Sequence, residues 1–240
     1  MRGDVDFSGR SVVVTGVGRA GQVGEAIATS FAERGARVFL VGRDEREVNA
    51  RTEQLLAAGR RAAALVADLA DERAVATLAE RVRDATGGRV HALVHLAGGF
   101  ASSGTVAESD ASIWSTQFSI NATTAYLSAR AFLPLVRATK GAIVFFASEA
   151  VLPGGRVSGV SAYAAAKSAV VSLMQSIAQE EGPRGVRSNA IAPTSIRTAA
   201  NLESMGSDVA YVSREDVASL VMWLCSENAR AVNGQLIRAR

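Results

Sequence analysis

The chain has 240 residues, 48% hydrophobic and 20% charged, with a formal net charge of +3, which suits one large α/β domain burying roughly 70–75% of its unfolded surface. Basic residues are interleaved with acids, as in Arg43-Asp44-Glu45-Arg46-Glu47, so the pI of about 9.5 reflects a small Arg excess, not the clustered basic face that nucleic-acid binding needs. The single cysteine, Cys225, excludes an intramolecular disulfide, and no apolar run approaches a membrane span.

Strand-length apolar runs fall at 11–15, 37–41, 62–66, 90–96, 142–147, 185–191 and 234–238. Amphipathic stretches of helical period separate them, at about 23–34, 44–58, 71–86, 110–138, 161–181 and 214–226. Near-continuous apolar strands alternating with helices indicate a parallel sheet covered on both faces. Right-handed crossovers then give a Rossmann-like doubly wound fold with seven parallel strands. With no internal repeat or linker, residues 1–240 read as a single domain. The polar start leads directly into Ser11-Val12-Val13-Val14 with no signal-peptide core, so a cytoplasmic location is expected. Cys225 follows the apolar run 220–224 and reads as a buried, inert thiol.

The first strand opens into Thr15-Gly16-Val17-Gly18-Arg19-Ala20-Gly21-Gln22-Val23-Gly24, with a helix from about Val23. Gly16, Gly18 and Gly21 match G-x-G-x-x-G by letter. Glycines here allow a tight turn and close backbone approach to a pyrophosphate resting on the helix N-terminus. A purely structural turn competes, but the position at the first β-to-α junction favours a nucleotide. The second strand ends in Gly42-Arg43. An acid at that tip would suit a ribose 2′-hydroxyl, whereas Arg43, helped by Arg19, suits a 2′-phosphate. Asp44 reads as a helix N-cap with Glu47 three residues on, so NADP(H) is expected in preference to NAD(H).

Asp68-Leu69 closes the third strand; Asp68 either meets an adenine amino group or caps the next helix. The fourth strand ends His95-Leu96-Ala97-Gly98-Gly99, small residues that leave room for a ligand against the backbone. His91 and His95 share a strand face with no further ligand nearby, so no metal site is expected. Asn121 interrupts a long helical stretch and could bond the backbone locally. The fifth strand delivers Ser148 to its C-terminal end, where open parallel sheets bind ligands. In Ser161-Ala162-Tyr163-Ala164-Ala165-Ala166-Lys167, Tyr163 and Lys167 lie one above the other on a helix. An ammonium there would lower the phenol pKa and fit Tyr163 for proton transfer, although Tyr-x-x-x-Lys is common and, taken alone, reads first as an Ala-rich helix with an incidental Tyr and Lys. The sixth strand runs into Pro193-Thr194-Ser195-Ile196-Arg197-Thr198, and a short lid at about 193–213 follows. Within it Gly206 is a candidate hinge, and Leu202, Met205 and Tyr211 are candidate pocket residues.

Read together, the Thr15-Gly16 loop, Asp68-Leu69, Ala97-Gly98, Asn121, Ser148, Tyr163-x-x-x-Lys167 and the Pro193 to Thr198 segment resemble the short-chain dehydrogenase/reductase family over almost the whole chain. The resemblance implies Tyr163 as general acid/base, Lys167 as its pKa modulator and a ligand of the nicotinamide ribose, Ser148 as the group polarising the substrate oxygen, and Asn121 as holder of a relay water. It implies phosphate-loop contacts from Gly16, Gly18, Arg19, Gln22 and Val23. Arg43, Asp68, Leu69, Ala97 and Gly98 would line the adenosine side; Pro193, Ile196 and Thr198 would border the nicotinamide. Four departures stand out. The glycine loop is two residues longer than the usual spacing, as in the enoyl-acyl-carrier-protein reductase branch, although that branch spaces its Tyr and Lys more widely. His95-Leu96 replaces a familiar Asn-Asn, with an expected loss of side-chain bonds that steady the sheet. Fifteen residues separate Ser148 from Tyr163, about two more than usual. The chain also ends at Arg240 without the usual tail, and a homodimer or homotetramer is expected. The resulting expectation is an NADPH-dependent reductase of a neutral or apolar carbonyl compound. The competing readings are a catalytically silent NADP(H)-binding scaffold and related chemistry such as imine or enoyl reduction, epimerisation or dehydration.

Overall fold

A computed structural model describes residues 5–240; the polar start, residues 1–4, lies outside the described residues. The strands β1 (Ser11–Thr15), β2 (Arg37–Gly42), β3 (Arg61–Val66), β4 (Ala92–His95), β5 (Ala142–Phe146), β6 (Arg187–Pro193) and β9 (Leu236–Ala239) form one sheet in the order β3-β2-β1-β4-β5-β6-β9. Every pairing in it is parallel. Sequence order reverses direction between β1 and β4, and this switch point opens a crevice at the C-terminal strand ends.

Side chains alternate across the strands and so feed two cores. Val12, Val14, Val38 and Leu40 pack with Ile27 and Phe31 of α1 (Val23–Glu33), Val48 of α2 (Glu45–Ala57), and Val217, Val221 and Leu224 of α8 (Arg214–Cys225). Val13, Phe39, Val41 and Phe145 face the other way. They meet Leu78 of α3 (Glu72–Thr86), Phe132 of α5 (Thr124–Arg137) and Met174 of α6 (Ser161–Glu181). A residue pair one apart thus serves opposite layers, which is why the strands are apolar without alternation. Cys225 is buried in the first core, where burial pushes its thiol up to about 12.

Two stretches differ from the expected elements. The long helix anticipated over 110–138 is three pieces: α4 (Ala111–Gln117), a π-helical turn (Phe118–Thr123) and α5. The lid is ordered, with β7 (Ser195–Ile196) pairing β8 (Tyr211–Val212) around α7 (Ala199–Met205). Tyr211 is a brace within the lid, because its hydroxyl donates to the carbonyl of Gly206 at 2.6 Å. No helix among the described residues is long and apolar enough to cross a membrane.

Gly42 sits where β2 meets the first glycine loop. A Cβ added there would lie 2.1 Å from the Val17 carbonyl oxygen and 2.6 Å from Val48 Cγ2. The first contact is with backbone that cannot rotate away, so Gly42→Ala should cost about 1–3 kcal/mol as an overpacking substitution. Urea unfolding measures this, and an unchanged midpoint would show that the β2 tip relaxes freely.

Candidate active site

The crevice at the switch point is a cleft of about 580 Å³, within the range of cofactor and small-ligand sites. It is lined by the first glycine loop, the tips of β2 and β3, the β4 exit and the π-helical turn, including Gly16, Gly18, Arg19, Arg43, Asp68, Leu69, Ala97 and Gly98. The floor is bare backbone. At Gly16, whose φ is +76°, a Cβ would lie 2.7 Å from the Ala97 nitrogen. At Gly18 a Cβ would meet nothing of the protein within 4 Å, so that position faces open cleft. Such a cradle fits a dinucleotide, whose pyrophosphate needs close approach to main-chain N–H groups at the start of α1.

The longer glycine loop changes which glycine does what. Gly24, not Gly21, allows close packing of helix on strand, since its Cβ would fall 2.9 Å from the Gly16 carbonyl oxygen. Gly21 faces the lid and α8 instead: its carbonyl accepts from the Ala199 N–H at 3.2 Å, and its own N–H donates to Glu25 Oε2 at 2.6 Å. Gln22 and Val23 lie outside the cleft lining. Gln22 is the residue preceding α1 and makes no side-chain cap bond, while Val23 packs against the first core.

At the adenosine side, Asp44 Oδ1 accepts from the Glu47 N–H at 3.1 Å and caps α2, as its spacing predicts. Arg43 beside it is exposed on the cleft wall. The cap of α3 is Asp71, whose Oδ1 accepts from the N–H groups of Arg73 and Ala74. The capping alternative for Asp68 is therefore overturned. Its Oδ1 takes the Ala70 N–H in a local turn, and the residue lines the cleft.

Behind Gly98, at the edge of the cleft, several of the remaining predicted residues come together. A Cβ on Gly98 would lie 2.5 Å from Asn121 Oδ1 and 3.4 Å from Lys167 Nζ, so three chain segments converge there. Asn121 is buried in the π-helical turn, and its amide is fully used. Oδ1 accepts from the Gly99 N–H at 3.2 Å, and Nδ2 donates to the carbonyls of Gly99 and Gln117, each at 3.0 Å. Lys167 is buried and donates to the Phe146 carbonyl at 2.8 Å, and burial lowers its pKa to about 8. Its Nζ stands 5.9 Å from the Tyr163 ring centre. The expected lowering of the Tyr163 pKa is reversed. Burial pushes the phenol above its ordinary value, and a hydrogen bond with Ser148 offsets part of that rise. Ser148 is positioned at the β5 exit by capping the short turn that follows, accepting from the Ala150 N–H at 3.2 Å. Pro193 ends β6, Ile196 is buried in β7, and Thr198 caps α7 by accepting from the Asn201 N–H at 3.1 Å. These three do not line the main cleft.

The anticipated loss of steadying bonds at His95 is also corrected. His95 is buried, with Nδ1 3.1 Å from Thr15 Oγ1 and Nε2 3.4 Å from Thr124 Oγ1. The Ala97 N–H donates to Thr15 Oγ1, and Thr124 Oγ1 donates to the Ile120 carbonyl at 2.8 Å. Those ends set the direction of the chain. Thr15 gives its proton to Nδ1, and the imidazole carries its own on Nε2 towards Thr124. One ring thus ties β1, the β4 exit and the turn bearing Asn121. Thr15 and Thr124 lie 80 and 29 residues from His95. No local pattern signals those pairings, although an isolated polar residue at an apolar strand end hints that a partner exists.

A glycine-floored cleft at the switch point of a doubly wound sheet, with a Tyr/Lys helix on its far side, defines a dinucleotide-dependent α/β oxidoreductase. The family model described as Enoyl-(Acyl carrier protein) reductase matches residues 16–239. The 2-(S)-hydroxypropyl-CoM dehydrogenase 3 of Xanthobacter autotrophicus is 33% identical over 93% of this chain and 92% of its own. The meso-2,3-butanediol dehydrogenase of Serratia marcescens is 30% identical over 95% and 92%. A solved short-chain type dehydrogenase/reductase from Mycobacterium ulcerans superposes with a TM-score of 0.88 at 29% identity, covering 98% of this chain and 90% of that one. The protein belongs to the short-chain dehydrogenase/reductase family, whose members act on hydroxyl or carbonyl groups with NAD(P)(H).

Burial lowers the His95 pKa from 6.5 to about 3. Below pH 6.5 the unfolded chain takes up a proton that the folded chain refuses, so stability falls as pH drops from 6.5 towards 3, by about 1.4 kcal/mol per pH unit for this group. Urea unfolding between about pH 7 and 4 should show a steeper loss for the wild type than for His95→Asn. His91, also depressed by burial, adds the same slope to both proteins. Equal slopes would mean that His95 titrates as if exposed.

Proposed function

We propose that the protein is an NADPH-dependent ketoreductase or alcohol dehydrogenase in which Tyr163 is the proton donor. The observation that carries this reading is the meeting of Ser148, Tyr163 and Lys167 at the β5 exit, with the phenol pKa raised rather than lowered. A phenol that keeps its proton at neutral pH is suited to deliver it to a carbonyl oxygen as that oxygen gains negative charge. Ser148 presents its hydroxyl to the same oxygen and steadies the developing charge. Lys167, fixed to the Phe146 carbonyl, keeps a cation beside the phenol and within reach of a ribose next to Gly98. The Asn121 side chain is bonded to protein and its main-chain carbonyl accepts from Thr124, so a relay water there would take the place of one of those partners.

The nicotinamide cofactor supplies the hydride when bound. The main chain at Gly16 and Gly18 would hold its pyrophosphate, and Asp68 and Leu69 would flank the adenine. Arg43, assisted by Arg19, would pair with a 2′-phosphate. Thr198 accepts one bond in capping α7 and retains its own O–H to donate to the carboxamide, between Pro193 and Ile196. Gln22 and Val23 act by setting the start of α1 rather than by touching the cofactor. The segment Ala199 to Val212 would cover the substrate. Two relatives named for dehydrogenation of hydroxyl compounds support ketone or alcohol chemistry, and the four-residue Tyr163–Lys167 spacing argues against enoyl reduction. The silent-scaffold alternative loses one of its grounds, because His95 supplies the bonds its substitution was expected to remove. The half-exposed Tyr126 and neighbouring Leu133 and Leu173, along α5 and α6, support pairing of subunits as a homo-oligomer.

Tyr163→Phe should lower kcat for NADPH-dependent ketone reduction by about 10²–10⁴-fold while leaving NADPH binding intact; undiminished turnover would remove Tyr163 from the proton transfer. Arg43→Asp should exchange the cofactor preference, raising KM for NADPH and lowering it for NADH. An unaltered ratio would assign the phosphate to another residue.

A further inference from the structure

Phe100 is 66% exposed, in the loop that leaves β4 for α4. A lone exposed aromatic is common and carries little meaning. This one differs in its partner and in its anchorage. Its ring packs edge-to-face on Tyr163, with centroids 5.1 Å apart and planes at 81°. Its loop is stitched to the segment that leads into the Tyr163 helix. Ser102 Oγ donates to the Gly159 carbonyl at 2.9 Å, the Ser103 N–H donates to the same carbonyl at 2.8 Å, and Ser103 Oγ lies 3.3 Å from Ser161 Oγ. Phe100 and Tyr163 are therefore held in register with each other, while most of the Phe100 ring remains open to solvent.

We propose that Phe100 is a specificity-determining wall of the site, and that the substrate class is a ketone or secondary alcohol carrying an aryl or other planar conjugated group beside the reacting carbon. The inference rests on the reading of Tyr163 as the residue that meets the substrate oxygen. A carbonyl seated on the Tyr163 hydroxyl places its neighbouring substituent along the Phe100 ring, where a planar group gains stacking that a small alkyl group does not. The ring is held in place before binding, so little further ordering opposes that gain. Residues 97–107 contain no charged side chain, so the Phe100 loop itself offers no partner to an anionic substituent.

The test compares acetophenone with 2-butanone on the NADPH-loaded protein, in the wild type, Phe100→Ala and Phe100→Leu. Both variants alter an exposed side chain, so the fold is retained. The wild type should favour acetophenone, and Phe100→Ala should reduce the acetophenone-to-butanone ratio of kcat/KM by about tenfold, chiefly through KM. Phe100→Leu should fall on the same side, because an aliphatic group of similar bulk restores burial without stacking. Saturation-transfer NMR supplies a readout that needs no turnover: signal should pass from the protein to the acetophenone ring in the wild type and in Tyr163→Phe, and saturate only at about tenfold higher acetophenone in Phe100→Ala. An unchanged ratio in Phe100→Ala, or no transfer to acetophenone in the wild type, overturns the inference. Transfer to acetophenone without reduction of either ketone would instead overturn the ketoreductase reading and leave the aryl site standing.

Discussion

Three strand ends of the sheet come so close to neighbouring atoms that a Cβ has no room. They are Gly16 after β1, against the Ala97 backbone; Gly42 ending β2, against the Val17 carbonyl; and Gly98 after β4, against Asn121 and Lys167. This close approach is the constraint on which the site depends. It leaves a cleft whose floor is main chain, able to meet a pyrophosphate with N–H groups and a sugar without side-chain obstruction. It also sets Asn121 and Lys167 against the same glycine, although the helices bearing them belong to different crossovers. Widening any of these contacts by a methyl group would move backbone that several elements share.

Around that floor the polar groups have almost no freedom. His95 bridges two threonines, Asn121 bonds two stretches of main chain, and Lys167 is fixed on the Phe146 carbonyl. Buried polar groups are costly unless they are bonded, and each bond made here also fixes an angle or a tautomer. The same burial that orders the site raises the Tyr163 pKa and lowers that of Lys167. Burial, more than charge proximity, governs the site's titration.

How much was readable beforehand differs from residue to residue. The central strands β1, β2, β4 and β5 were evident because they are buried on both faces and so are apolar almost throughout. Asp44 was legible as a cap because capping works over three residues. Asp68 was ambiguous between an adenine contact and a helix cap, and only the folded backbone, which gives the cap of α3 to Asp71, removed the second reading. The π-helical turn at Phe118–Thr123 left no trace, since one displaced hydrogen bond does not alter hydrophobic periodicity. Gly21 matched the glycine pattern by letter, yet it is Gly24 that packs on the Gly16 carbonyl, because a letter pattern counts positions and a longer loop moves them.

The amino-acid sequence by itself determined the alternation of strands and helices, the glycine-rich first junction, and the four-residue spacing that stacks Tyr163 over Lys167. These are local quantities, set by period, propensity and short spacing. Only the tertiary structure decided that His95 finds Thr15 and Thr124, that Phe100 lies across Tyr163, that Tyr211 braces the lid from within, and that the Tyr163 pKa rises. Each of these depends on burial or on contacts between segments far apart along the chain, and both come into being when the sheet brings its strand ends together.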